Sequence, residues 1–253
     1  MSLIKAPEFR VSLVDDPADL RAAQALRYDV FVRELGGGGA MVDHDAGIER
    51  DRFDPFFDHL VLHDDAVGQV VAVYRMLRAE QAEAAGQFYS EDEYDLAPLH
   101  ATGRRLLELG RSCVHKDYRG GPALYHLWNG LATYVAEHEI EVMFGVASFH
   151  GTDPSALAQP LSLLHHRHLA PEPLRVTARE PHAASMNLVP EDQIDRRAAM
   201  LDMPALIKAY LRLGGVVGEG AYVDHAFNTT DVCLIMDTAA MSDRQRRIYG
   251  AVS

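Results

Sequence analysis

Between residues 104 and 168 the hydrophobic period of this chain switches repeatedly, and the order of the switches restricts the fold more than any other feature. "RRLLELGRSCVH" reads as a strand, "PALYHLWNGLATYVAEHE" as a helix with Pro122 suited to its first turn, and "EVMFGVASF" as a second strand. "HGTDPSA" then leads into another helix, with Asp153 placed to cap it and Pro154 at its first position. Strand, helix, strand, helix in that order implies a crossover and hence a parallel pair of strands. Upstream, "HLVLHDDAVGQVVAVYRML" reads as a hairpin about an Asp-Asp-Ala-Val-Gly turn. Downstream, "PALIKAYLRLGG" is a short helix stopped by glycine, and "GAYVDHAFNTTDVCLIMD" supplies the last strands. The expected class is α/β with a mixed sheet.

The amino-terminal stretch "DDPADLRAAQALRYDVFVREL" has cap-type aspartates, a proline near its first turn, and Leu20, Ala23, Val30, Phe31 and Leu35 at helical spacing. It is an amphipathic helix closed by Gly36 to Gly39. Those glycines lack the preceding strand and Lys–Ser/Thr pair of a phosphate loop, so they read as a lid or a helix stop. Residues 171–204 are rich in Pro, Arg and acidic residues without periodicity, an irregular excursion. With no repeat and no low-complexity linker, residues 1–253 are expected to form one domain, long enough to bury a large core.

A net charge of −13 and a pI near 5.4 exclude a surface that holds nucleic acid by neutralising phosphates. An acidic partner would need a local basic patch. Arg104 with Arg105, Lys116 with Arg119, and Arg196 with Arg197 are either solvated faces or such patches. The apolar runs are too short to cross a bilayer, and "MSLIKAPEFR" lacks the features of a signal peptide. Cys113 and Cys233 lie in apolar segments, where a thiol behaves as a small hydrophobe, so a reducing, cytoplasmic setting is expected.

Several charges sit where aliphatic residues would pack better. In "LELGRSCV" a regular strand would put Glu108 and Arg111 on opposite faces. A bulge at Gly110 would bring both to one face and expose backbone amides to a ligand; a buried Glu–Arg ion pair is the structural alternative. Arg27 falls on the apolar face of the first helix beside Phe31 and must meet a carboxylate; Asp51 and Asp54 of "ERDRFD" are available, and Arg75 ends the hairpin nearby in sequence. Together these could line a polar cavity for a zwitterion. In "LLHHRHL", His165 and His168 share a helix face with His166 a quarter turn away, but no further ligand follows at zinc-site spacing. These histidines suit phosphate binding, carbonyl capping or proton transfer better than metal. His59 and Asp64 match an H-x4-D pattern, which an Asp- and His-rich chain produces by chance.

Taken in order, "LRYDVFVRELG", "DRFDPFFDHLVL", "GQFYSEDEYDL", "LELGRSCVHKDYR", "FGVASFHGTDP", "LHHRHLAP" and "FNTTDVCLIMD" resemble the GNAT superfamily and, more closely, the L-ornithine N-alpha-acyltransferases of ornithine-lipid synthesis. That resemblance implies a GNAT-like three-layer α/β/α fold with a mixed, splayed central sheet. It also implies transfer of a 3-hydroxyacyl group from acyl carrier protein to the alpha-amine of L-ornithine, giving a lyso-ornithine lipid. No cofactor would be permanently bound, because the carrier's phosphopantetheine arm brings the donor; a lipid product further implies peripheral contact with the inner membrane face.

"LRYDVF", "DRFD", "YRML" and "ELGR" are similar to acyl-homoserine lactone synthases as well, which sets Arg27, Phe31, Asp51, Asp54, Arg75, Glu108 and Arg111 on functional positions. The missing tryptophan in "ELGGGGAM" counts against the sulfonium acceptor of those synthases. By these likenesses Glu108 is the expected base, with His165 or His166 as substitute, and Arg75 and Arg111 would hold the amino-acid carboxylate. Asp51, Asp54 or Asp153 would recognise the side-chain ammonium. Gly110, Arg119, Gly120 and Gly121 would meet the phosphopantetheine arm, for which the reduced loop "KDYRGGPA" and a helix N-terminus are expected to serve. Lys116 and Arg119 would face the acidic carrier. A lactone-type signal synthase and a non-catalytic acyl-binding module are the competing readings.

Overall fold

The computed structural model describes residues 6–241; residues 1–5, which open the segment read for a leader, and 242–253 lie outside it. The first half of the chain forms β1 (Phe9–Leu13), α1 (Pro17–Arg27), β2 (Asp58–Asp64), β3 (Gln69–Arg78), α2 (Ala79–Ala85), β4 (Tyr94–Asp95), α3 (Ala97–Ala101), β5 (Leu106–Val114) and α4 (Ala123–Glu137). The second half forms β6 (Val142–His150), α5 (Ala158–His168), β7 (Thr177–Ala178), β8 (Ala183–Ala184), α6 (Arg196–Asp202), α7 (Ala205–Arg212), β9 (Val216–Val217), β10 (Ala221–Asp224) and β11 (Thr229–Asp237). Two compact units result. One takes the chain up to Leu77 together with Leu109–His138; the other takes Arg78–Glu108 and the chain from Glu139. The division falls within β5, after Glu108.

In the first unit β1 pairs antiparallel with β2, and β2 with β3 in the expected hairpin, whose turn closes through Gly68 at φ +69°. α1 starts where the sequence says it should. Asp16 accepts from the amides of Ala18 and Asp19, and Pro17 takes the first position, where its missing N–H is not needed. The α pitch, expected to persist to Leu35, ends at Arg27; Tyr28–Glu34 winds on as a π-helix, in which the Leu35 amide donates to the Val30 carbonyl at 3.2 Å. Ala23, Leu26 and Val30 bury against Val61, Val73 and Cys113, with Phe31 packed on that cluster. Each aliphatic side chain so buried contributes about 1.5–3 kcal/mol. Gly36, at φ +74°, stops the helix in the left-handed conformation that glycine adopts at least cost.

In the second unit β5 pairs with β6 in parallel, as the crossover through α4 demands, over Leu106, Leu107 and Glu108 opposite Val142, Met143 and Phe144. That short pairing is the expected splay. β6 pairs antiparallel with β11 along Val142–His150, and β10 and β8 follow, so the sheet is mixed. Residues 171–204, expected to be irregular, instead contain β7 and β8, each two residues long, and α6 capped by Asp195. These elements are shorter than the window over which a hydrophobic period can be read.

Candidate active site

In the first unit three arginines and three carboxylates interlock, four of them buried and Asp51 and Arg111 partly exposed at 19% and 12%. Arg27, fully buried, donates from Nε to Glu49 at 2.6 Å and from Nη1 to Asp54 at 2.9 Å. Arg75, also fully buried, donates from Nη1 to Asp51 at 2.8 Å and to Asp54 at 2.5 Å, while its guanidinium lies 4.3 Å from the centre of the Phe57 ring. Arg111 reaches Glu49 at 3.3 Å and Asp51 at 3.4 Å, and Gln24 donates to the second oxygen of Asp54 at 2.9 Å.

Burial alone would push these carboxylates toward the neutral form, yet the surrounding arginines prevail. Glu49 is held below the ordinary range by Arg111 and Arg27, Asp51 well below it by Arg75 with Arg111, and Asp54 by Arg27 and Arg75. Burial likewise disfavours the Arg27 charge, and Glu49 and Asp54 restore it. Arg27, Asp51, Asp54, Arg75 and Arg111, each singled out from sequence, are therefore brought together. Glu49 was missed, although it is buried and joins Arg27 to Arg111. In "GIERDRFD" the close succession of acids, Glu49, Asp51 and Asp54, was the available signal.

β5 is distorted, one residue later than expected. Arg111 rather than Gly110 takes the left-handed conformation, at φ +48°, which is costly for a residue with a side chain and persists only where the surroundings enforce it. Gly110 lies open; a Cβ there would meet nothing within 4 Å.

In the second unit Glu108, 1% exposed, is the last β5 residue paired with β6. One oxygen accepts from the Tyr89 amide at 2.7 Å; the other accepts from the Ser90 amide at 2.6 Å and from the Ser90 hydroxyl. Tyr89–Asp92 is a single 3₁₀ turn, so Glu108 sits at the amide-rich start of a helical turn. Phe88, just before it, packs edge-on against Phe144 at 5.0 Å. Ser90 was missed because nothing in "GQFYSEDEYDL" links it to a strand 18 residues on.

Asp153 is exposed and caps the turn after β6 by accepting from Ser155 at 3.0 Å, as its sequence context predicts. His165 and His166 end α5 with rings 5.0 Å apart; burial and the neighbouring His166 lower the pKa of His165, and His166 contacts the Val189 carbonyl at 3.1 Å. His59 and Asp64, the chance H-x4-D pair, have separate duties: His59 Nε2 contacts the Asp54 carbonyl at 3.1 Å, and Asp64 accepts from the Tyr118 hydroxyl at 2.8 Å. Among the described residues, carboxylate oxygens of Glu93, Asp224 and Asp231 lie within 4.8 Å of one another, the spacing a metal ion or an ammonium group would require. Nothing local in the chain signals this convergence, because Glu93 lies far from Asp224 and Asp231.

At the turn after β5, Lys116 and Arg119 are exposed, Gly120 adopts φ +74°, and Pro122 caps α4 without a side-chain hydrogen bond. Arg119 is engaged by both oxygens of Glu34, with Nη2 to Oε2 at 2.8 Å.

Residues 26–129 match the "Acetyltransferase (GNAT) domain" family. The chain is 59% identical to the L-ornithine N(alpha)-acyltransferase of Rhodobacter capsulatus over 95% of this chain and 94% of that protein. It is 43% identical to the enzyme of that name from Brucella abortus, covering 95% and 88%, and 41% identical to that of Rhizobium meliloti, covering 94% and 83%. Among solved structures, the N-acyl amino acid synthase FeeM from uncultured soil microbes shares the fold at 10% identity, a TM-score of 0.51 and 93% coverage of each chain. The homoserine lactone synthase LasI does so at 14% identity and 0.51, with 96% of this chain and 95% of that one covered.

Proposed function

We propose, from the premise that this chain belongs to the L-ornithine N(alpha)-acyltransferases of the GNAT superfamily, that it moves a 3-hydroxyacyl group from acyl carrier protein to the alpha-amine of L-ornithine. The product is a lyso-ornithine lipid. The observation that carries the reading is a set of three residues within four positions of β5: a buried carboxylate held by three donors, an unobstructed glycine, and a left-handed arginine.

In the proposed reaction the ornithine alpha-ammonium gives a proton to Glu108, directly or through water. The neutral nitrogen attacks the thioester carbonyl carbon. A C–N bond forms, the C–S bond breaks, and the pantetheine sulfur leaves as a thiol after taking up a proton. Backbone amides near Gly110 steady the negative charge on the carbonyl oxygen, where one donor is worth about 3 kcal/mol of barrier. Tyr89 and Ser90 fix the direction in which Glu108 presents its oxygens. Arg75 and Arg111 hold the substrate carboxylate, Asp51, Asp54 or Asp153 the side-chain ammonium, and Phe31 and Arg27 complete the acceptor wall, with His165 or His166 as reserve bases. No covalent acyl-enzyme is needed: burial pushes the Cys113 thiol up to about 12, which removes its nucleophilic thiolate. Lys116 and Arg119 meet the acidic carrier in the cytoplasm, and the product leaves toward the inner membrane face; no described helix is long and apolar enough to cross that membrane.

The test is Glu108→Gln assayed with acylated carrier protein and ornithine, products identified by mass spectrometry. Thioester consumption should fall by about 10²- to 10⁴-fold while carrier protein still binds. Turnover within tenfold of the parent would remove Glu108 from the reaction, and acylation of S-adenosylmethionine in preference to ornithine would reassign the acceptor.

A further inference from the structure

The arginine assigned to the donor phosphate is already occupied by a carboxylate of the same chain. Glu34, the last residue of the π-helical segment, takes both arms of the Arg119 guanidinium in a fork-to-fork pair, while Arg119 Nε donates to the Val114 carbonyl at 2.9 Å and so fixes the plane of the fork. Other cationic groups gather on the same carboxylate. Its pKa lies below the ordinary range, first through its hydrogen bonds to Arg119, which with the nearby charges of Arg119, Lys116 and His115 outweigh the opposing effect of burial. The Lys116 ammonium has no ion-pair partner among the described residues. Next along the chain come Gly120 and Gly121 and the start of α4, whose cap residue Pro122 offers no side-chain oxygen to its first amides. A positive turn with uncapped helix amides is a receptor for an anion, and two carboxylate oxygens span a guanidinium fork just as two phosphate oxygens do.

We propose that Glu34 is an internal competitor for the donor's phosphate: it occupies Arg119 in the unliganded enzyme and is displaced when a phosphopantetheine arm arrives. This rests on the carrier-protein reading above. Because the pair is largely exposed, the competition is mild and sets donor affinity without blocking it.

The experiment is calorimetric binding of phosphopantetheine, and of pantetheine lacking the phosphate, to the full chain and to Glu34→Gln, Arg119→Gln and the double variant. Glu34→Gln should bind phosphopantetheine about two- to fivefold more tightly, the gain expected from dissolving one exposed ion pair, with pantetheine affinity unchanged. The double variant should lose that gain. Phosphopantetheine binding that is unchanged or weaker in Glu34→Gln, or a gain shared equally by pantetheine, overturns the proposal. If neither the parent nor Glu34→Gln prefers the phosphate-bearing arm, the donor site itself is refuted; if both prefer it equally, only the role of Glu34 falls.

Discussion

Replacing Asp54 by Asn tests whether the buried charges act as one balanced set. Arg27, Arg75 and Arg111 face Glu49, Asp51 and Asp54, so the six formal charges cancel. Asp54, with its side chain 5% exposed, bonds to two of the three guanidinium groups. Asparagine keeps the shape but removes the charge and turns an amide donor toward those groups, leaving one buried positive charge uncompensated. Breaking a buried pair in this way costs about 3–5 kcal/mol. That is a large fraction of the roughly 5–15 kcal/mol that holds a typical domain folded. At about 2–4 °C per kcal/mol for a chain of this size, the melting midpoint should drop by roughly 6–20 °C.

Asp65→Asn supplies the control, since Asp65 pairs with Arg10 in equally good geometry, at 2.9 and 3.0 Å, but with side chains 43% and 52% exposed. It should lower the midpoint far less than Asp54→Asn does. Thermal and urea unfolding of both variants, and of Arg27→Gln/Asp54→Asn, decide the matter. If Asp54→Asn and Asp65→Asn cost the same, or if the double variant costs the full sum of its two singles, the balanced-set reasoning is wrong.

Two further outcomes follow from the same energetics. Glu49, Asp51 and Asp54 have folded-state pKa values below those of the unfolded chain, so their contribution is complete above about pH 5 and is lost as acidification protonates the unfolded carboxylates first. His59, whose pKa is lowered by burial, adds to the loss below about pH 6.5, and the urea midpoint should therefore fall steadily from pH 7 to pH 3; a flat profile would contradict the assignment. Burial raises the thiol pKa of Cys113 to about 12 and that of Cys233 higher still. Neither should react with iodoacetamide at pH 8 until denaturant is added, and alkylation of the native protein at the rate of a free thiol would show that one of them is accessible.

What the sequence revealed and what it hid divide along physical lines. Arg27 was conspicuous because a guanidinium on an apolar helix face must find an anion, and Asp51 and Asp54 of "ERDRFD" were available anions. The hairpin, the crossover and the caps at Asp16 and Asp153 were legible because each depends on residues within a few positions of one another. Glu49 was harder: its neighbours in sequence are charged too, and only the fold distinguishes a buried acid from a solvated one. Ser90 escaped because its partner is 18 residues distant and its amide matters as much as its hydroxyl. The strand distortion was foreseen at glycine, the residue that bends most cheaply, yet the chain bends at Arg111, where interactions with Glu49 and Asp51 oppose the preference of a side chain for the right-handed region.

The π-helical segment bears on the length of the chain there as well as its composition. A π turn is an α-helix that has absorbed a surplus residue, and deleting any one position between Tyr28 and Glu34 would let the ordinary pitch return. Ala23 and Leu26 would stay seated in the core, and because the wide turn is what absorbs the surplus, the side chains beyond the deletion would keep nearly their present facing. The pair between Glu34 and Arg119 should therefore tolerate the loss of a residue here, whereas the same loss within Pro17–Arg27 would turn everything after it by about 100° about the helix axis.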